Sequence, residues 1–193
     1  MRYWWANQGA SYDTEVPGGY LWCRQRRANG SRNPFYDAVR LTRPGDVIFA
    51  CADARIKAIG LVMSPAREAP QPQPPGAPAG QAERTRRQAA ATVPGWMIDV
   101  AWLELKRPLH PAPHMAILAP LLPAIYAPLT PQGRGIQGGR LLELSSAFAR
   151  ALLQLAGGTE PGRLLNPDWR PRQLRFAFEQ HIVTDESTEP ISR

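Results

Sequence analysis

Apolar positions along this chain fall in short runs separated by turn residues, most alternating with a period of two and a few with a helical period. The clearest pair is Asp46 to Cys51 and Ile56 to Met63, flanking the polar turn Ala52-Asp53-Ala54-Arg55. Two such runs around a short polar turn predict a β-hairpin, and Gly60 inside the second suggests a bulge or tight bend. Tyr3 to Ala6 is aromatic enough to be a strand. Tyr20 to Cys23 is another, entered through the turn signal Val16-Pro17-Gly18-Gly19. In Trp96 to Leu105 the residues Trp96, Ile98, Val100 and Trp102 share one strand face. Arg140 to Leu144 is the last strand.

Two helices stand out. Asn33 is placed to cap one, with Pro34 at its first position and Phe35, Val39 and Leu41 as its apolar side, before Arg43-Pro44-Gly45 ends it. Ser145 to Ala156 is the stronger: Ser at the cap, Phe148, Leu152 and Leu155 on one stripe, and Gly157-Gly158 as the stop. It is expected to pack across an open barrel end. Leu109 to Leu129 is apolar but studded with prolines, so packed irregular chain with at most one helical turn is expected. The loop from Pro131 to Gly139 carries GRGIQGG, which lacks the Lys-Ser/Thr end of a P-loop and the dinucleotide-binding spacing.

Composition changes this picture in two places. The chain has 21 prolines in 193 residues, about twice the usual share of about 5%. Many fall in residues 64–94, a stretch of Pro, Ala, Gln and Arg too poor in apolar surface to offset its ordering entropy. It reads as a mobile insertion within one domain, residues 1–158, because the strand after it needs partners from the first half. Residues 159–193 read as a C-terminal extension, turn-rich at first, with a short helix from Gln173 to Val183 and a frayed end. Cys23 and Cys51 are far apart and lack metal-ligand spacing. No run of about 18 apolar residues occurs, so a soluble cytoplasmic protein is expected, without membrane contact.

Lys plus Arg outnumber Asp plus Glu by 23 to 16, for a net charge of +7. The charge concentrates in GGYLWCRQRRANGSRNPF, Gly18 to Phe35. Tyr20 and Trp22 point to one side of a strand; Arg24, Arg26, Arg27 and Arg32 follow, with no acidic residue between Val16 and Tyr36. An aromatic ledge beside an unopposed cationic loop suits a nucleobase held by its face and phosphates held by charge. Arg134 in the glycine-rich loop is a weaker candidate of the same kind. The plainer alternatives are Trp22 and Trp96 as core residues and the arginines as a solvated loop. His110 and His114 are separated by prolines and cannot share a helix face, so both read as structural.

The ordered set YWWANQGASYDTEVPGGYLWCRQRRANGSRNPFYDAV, RPGDVIFACADARIKAIGLV, MIDVAWLEL and LAPLLPAIYAPLTPQGRGIQ resembles the EVE domain. More narrowly it is similar to the module heading EVE–HNH endonucleases, which cut DNA containing modified cytosines. The resemblance spans about residues 3 to 157, apart from the Pro-rich insertion. It implies an α+β fold, a PUA-like curved antiparallel β-barrel with flanking α-helices, akin to the YTH and SRA readers of modified bases. It further implies a flipped base held in an aromatic cage. Trp22 and Cys23 stand where the YTH relatives have their Trp-Cys pair. Trp96 would form the second wall, and Asn7 and Gln8, at the end of the first strand, would meet the base edge. Asp53, at the hairpin tip, is a candidate for the exocyclic amino group. Arg24, Arg26, Arg27, Arg32 and Arg134 would serve the backbone.

The departures count equally. His110, His114 and His181 are the only histidines, without an HNH-type arrangement or a metal set. Recognition without catalysis, with no cofactor, is therefore expected. The partner would be nucleic acid: modified DNA first, with a separate nuclease as a restriction-related companion; the alternatives are an RNA-binding PUA-like module or the DNA-recognition half of a split or truncated HNH restriction endonuclease.

Overall fold

The computed structural model describes residues 1–72, 93–136 and 139–157. Most of the Pro-rich insertion, with Arg84, Arg86 and Arg87, and the C-terminal extension, with its expected helix and His181, lie outside the described residues.

Seven strands form one curled sheet in the order β2-β6-β4-β3-β1-β7, with β5 also paired to β6. They are β1 Tyr3–Asn7, β2 Tyr20–Arg24, β3 Val47–Ala52, β4 Arg55–Val62, β5 Arg67–Pro70, β6 Pro94–Leu109 and β7 Leu141–Leu144. With a few short helices the sheet makes an α+β half-barrel, as expected. It is not wholly antiparallel: β1 runs parallel to β3. A parallel pair needs a long crossover, and the segment between these strands supplies one through α1 Tyr12–Gly18, β2 and α2 Pro34–Asp37.

Both sheet faces are covered. One carries Trp5, Phe49, Ile59 and Leu142, over which α4 Ser146–Leu155 lays Phe148 and Leu152. That helix thus shares one core with this face. Its Ser145 cap accepts from the Phe148 N–H as expected. The other face carries Trp4, Ile48, Ala58 and Ile98, covered by Tyr12 and Val16 of α1 and by Val39. Trp4 and Trp5 are both buried, one on each face.

The hairpin is where the sequence placed it. Asp53 and Ala54 take φ of 51° and 56°, the two left-handed residues of a tight hairpin turn. Gly60 marks no bulge, because the register shifts lie at Ala50/Cys51 and Ile56/Ala58. A Cβ at Gly60 would come within 2.5 Å of Trp102, so that glycine admits the indole. The helix after Asn33 is one α-turn running into a 3-10 turn, Ala38–Leu41, and Leu41 is exposed rather than apolar packing. Residues 112–121 form two 3-10 turns around α3 Met115–Leu118. The 3-10 turn Gly9–Ser11, α1 and β5 escaped the sequence reading. α1 was hidden by its own Pro17-Gly18-Gly19 ending, and β5 by the proline-rich composition around it. Among the described residues no helix is long and apolar enough to cross a membrane.

Candidate functional site

Two cavities open beside the segment that follows β1. The first, about 220 Å³, lies along β2. Its walls come from Ser11 and Glu15 of the α1 region, Trp22, Cys23 and Arg24 of β2, Tyr36, Gln71 and Arg140. The second, about 620 Å³, lies between the hairpin tip and the glycine-rich loop. Asn7, Asp53, His110, Arg134 and Ile136 are among its lining residues.

The wall of the β2 cavity is a buried ion pair. Arg140 sends Nη2 to both oxygens of Glu15 and to the Trp22 carbonyl (3.0 Å), and Nη1 to the Asn7 carbonyl (2.7 Å). Glu15 also accepts from the Trp22 N–H (3.1 Å), Gln8 Nε2 (2.9 Å) and Ser11 Oγ (3.0 Å). These donors use the carboxylate's lone pairs, so Glu15 has no acceptor left for a ligand. Its charge is neutralised by Arg140. The pair thus satisfies the outer edge of β2 at Trp22 and joins it to β1 and β7.

The next residue on that edge is Arg24. Cys23 pairs with Trp96 and Arg24 with Gly95, and the Gln25 N–H bonds the Pro94 carbonyl. Hydrogen-bonded and non-hydrogen-bonded pairs alternate in an antiparallel ladder. Arg24 is in the second class, and its main-chain N–H and C=O point away from β6. A donor and an acceptor therefore face outward beside the cavity. Ser11 adds an acceptor, since its hydroxyl proton is directed at Gln8 O and Glu15.

Trp22 lines this cavity yet is pinned. Its Nε1 donates to the Ala69 carbonyl of β5 at 3.1 Å, and a Cβ on Gly95 would stand 2.2 Å from the indole. The ring therefore lies against the Gly95 backbone and is only 8% exposed. Trp96 sits on the opposite face of the β2–β6 ribbon, directly across from Cys23. Its ring carries the Arg40 guanidinium at 4.7 Å. The two indoles thus do not meet across one cavity; the second aromatic in the lining is Tyr36. The Cys23 side chain packs in the core, and burial pushes its thiol up to about 12, with Arg140 pulling the other way.

The expected base-edge groups are also distributed otherwise. Asn7 accepts from Trp5 Nε1 at 2.8 Å and donates to the carbonyls of Ile136 (3.1 Å) and Gly139 (2.6 Å), so its amide fastens the glycine-rich loop. Gln8 is buried, its Oε1 without a hydrogen-bond partner among the described residues, and it lines neither cavity. Asp53 lies at the mouth of the larger cavity, paired with Lys57 at 2.5 Å. The structure thus keeps Trp22, Cys23 and Arg24 together and places Asn7, Asp53 and Arg134 at the neighbouring cavity.

Arg26, Arg27 and Arg32 are exposed on the loop after β2. Among the described residues none of them, nor Arg24, has an ion-pair partner. Glu15, Tyr36 and Arg140 were assigned no role from sequence. The one available signal, Tyr12 and Val16 four apart, would have placed Glu15 on a helix but was masked by Pro17-Gly18-Gly19. Among the described residues no group of three or more His, Cys, Asp or Glu stands together as a metal site.

No family model matches the chain, and no curated protein matches it. Solved structures do. A hypothetical protein from Leishmania major aligns over 82% of this chain and 96% of its own, at 11% identity and a TM-score of 0.50. An ASCH mutant protein from Zymomonas mobilis aligns over 80% and 99%, at 8% identity and a TM-score of 0.47. A YTH domain from Zygosaccharomyces rouxii, solved in complex with N6-methyladenosine RNA, aligns over 80% and 86%, at 13% identity and 0.41. Likeness at such identities concerns the fold alone.

Proposed function

We propose that this chain is a nucleic-acid reader that takes a flipped base into the β2 cavity and performs no chemistry on it. One observation carries the reading. A small cavity with two aromatic residues in its wall opens at the outer edge of β2, next to arginines that have no acidic partner among the described residues. At about 220 Å³ it falls below the 300–1,000 Å³ of ordinary ligand pockets, which suits one base rather than a whole nucleotide.

Each part has a task. Tyr36, with the accessible border of Trp22, supplies the stacking surface, worth about 1–3 kcal/mol per base. The outward N–H and C=O of Arg24 and the oxygen of Ser11 read the base edge. The loop arginines hold flanking phosphates, contributing affinity and salt dependence without sequence information. Extrusion from a duplex costs a few kcal/mol, which these contacts offset. A methyl group on the base adds about 0.8 kcal/mol of apolar contact.

Modified cytosine in DNA is the first-choice ligand, following the resemblance to the EVE modules of nucleases, with a separate nuclease as partner. RNA is the alternative. The test is binding of matched DNA and RNA oligonucleotides, with cytosine or 5-methylcytosine, to the wild type, Tyr36→Ala and Arg24→Ala. Tyr36→Ala is expected to weaken binding by about 5- to 150-fold, and methylation to strengthen wild-type binding about fourfold. Equal affinity of the wild type and Tyr36→Ala for every probe would falsify the pocket assignment.

A further inference from the structure

The larger cavity has no role in that reading, yet it is built as a binding site. Its volume of about 620 Å³ lies within the ordinary range for ligand pockets. Cys51, Ala52, Ala112 and Ile136 give it an apolar floor, and Arg134 brings a cation without an acidic partner among the described residues. Asp53, its one acidic lining residue, is neutralised by Lys57.

Arg134 is presented on a rigid turn. Its carbonyl accepts from the Thr130 N–H at 2.7 Å, and its own N–H donates to Thr130 Oγ1 at 3.2 Å. Gly133 takes φ 76°, and a Cβ there would lie 2.5 Å from the Ala112 backbone. Only a glycine lets this loop close on Ala112. Asn7 fastens the far side through the Ile136 carbonyl.

The two cavities are close. Gly9 lines one and Ser11 the other, and both belong to a single 3-10 turn. That turn is three residues long, about 6 Å at about 2 Å of rise per residue, so the two cavities have adjacent rims.

Resting on the base-reading role of the β2 cavity, we infer that the larger cavity is a subsite for the adjoining nucleotide, with Arg134 on its phosphate and the apolar floor against its sugar and base. The ligand is then a strand segment, not an isolated base. A single modified base displayed without neighbours forgoes the charge-assisted contact.

The experiment compares 5-methyl-dCMP with a DNA trinucleotide carrying 5-methylcytosine at its centre, titrated into the wild type, Arg134→Ala and Tyr36→Ala. Amide chemical shifts serve as a second readout. For the wild type the trinucleotide is expected to bind at least about tenfold more tightly and to shift the amides of Ala54, Ala112 and Gly135. Arg134→Ala should lower that ratio about tenfold, the remainder coming from the loop arginines, whereas Tyr36→Ala should weaken both probes and leave the ratio unchanged. If Arg134→Ala keeps the full ratio, or the three amides do not move, the inference is overturned and the β2 pocket stands. If the wild type binds neither probe, the base-reading role falls and the subsite with it.

Discussion

The two cavities beside β1 are held in opposite ways. The β2 cavity is shaped by a buried ion pair whose hydrogen-bonding capacity is spent inside the protein. Glu15 and Arg140 together bond β1, α1, β2 and the approach to β7. The larger cavity is shaped by main-chain bonds, a glycine and one amide, and its arginine has no acidic partner among the described residues. In one place charge sets shape; in the other, neutral groups set shape and charge is left for a partner. An arginine in the wall of a cleft therefore does not by itself define a ligand contact.

The largest effect should come from breaking the clasp. Arg140→Ala leaves the Glu15 carboxylate buried without its counter-charge, which costs about 3–5 kcal/mol. The urea midpoint should fall accordingly, and Glu15→Leu added to Arg140→Met should regain part of the loss, since neither charge is then stranded. Arg134→Ala should change stability by less than about 0.5 kcal/mol. Similar losses in the two arginine variants would erase the distinction.

How much of this was legible in the sequence depends on the range of the interactions. The hairpin, the Asn33 and Ser145 caps and the strands at Tyr3 and Tyr20 are local, set by alternation and turn chemistry, and they stand as read. The clasp joins residues 125 apart in sequence, and nothing near Glu15 or Arg140 announces the other. The same holds for the indoles. Alternation correctly put Trp96, Ile98, Val100 and Trp102 on one face. The side taken by Trp22 required the β2–β6 register, which pairs Cys23 with Trp96. The amide of Asn7 was assigned to a ligand because its bonds to Ile136 and Gly139 cross more than half the chain. β5 lay in a composition that reads as unstructured, and it forms because β6 offers it an edge.

A smaller effect concerns the pinned indole. In Gly95→Ala the new Cβ would collide with Trp22, forcing the ring off the β6 backbone and breaking its bond to the Ala69 carbonyl. Overpacking of this kind costs about 1–3 kcal/mol. The variant should show a lower thermal midpoint and red-shifted tryptophan emission, as Trp22 meets water. An unchanged midpoint and spectrum would mean that the ring moves aside freely, and Trp22 would then count as a mobile wall of the cavity.

The smallest effect on the fold, and the most direct on the partner, lies in the loop after β2. Arg27 is exposed and Arg26, also exposed, donates to the Gly30 carbonyl at 3.1 Å, so alanine at either should alter stability by less than about 0.5 kcal/mol. Their positive charge should instead appear in the salt dependence of binding. Removing one arginine–phosphate pair should flatten the slope of log affinity against log salt by about 0.9 for duplex DNA or about 0.7 for a single strand. Arg134→Ala, measured on the same long probe, should flatten it by the same amount. Glu15→Gln should not, because its ion pair is internal. A slope that responds to Arg26 and Arg27 but not to Arg134 would confine the phosphates to the β2 side and leave the larger cavity to a neutral ligand.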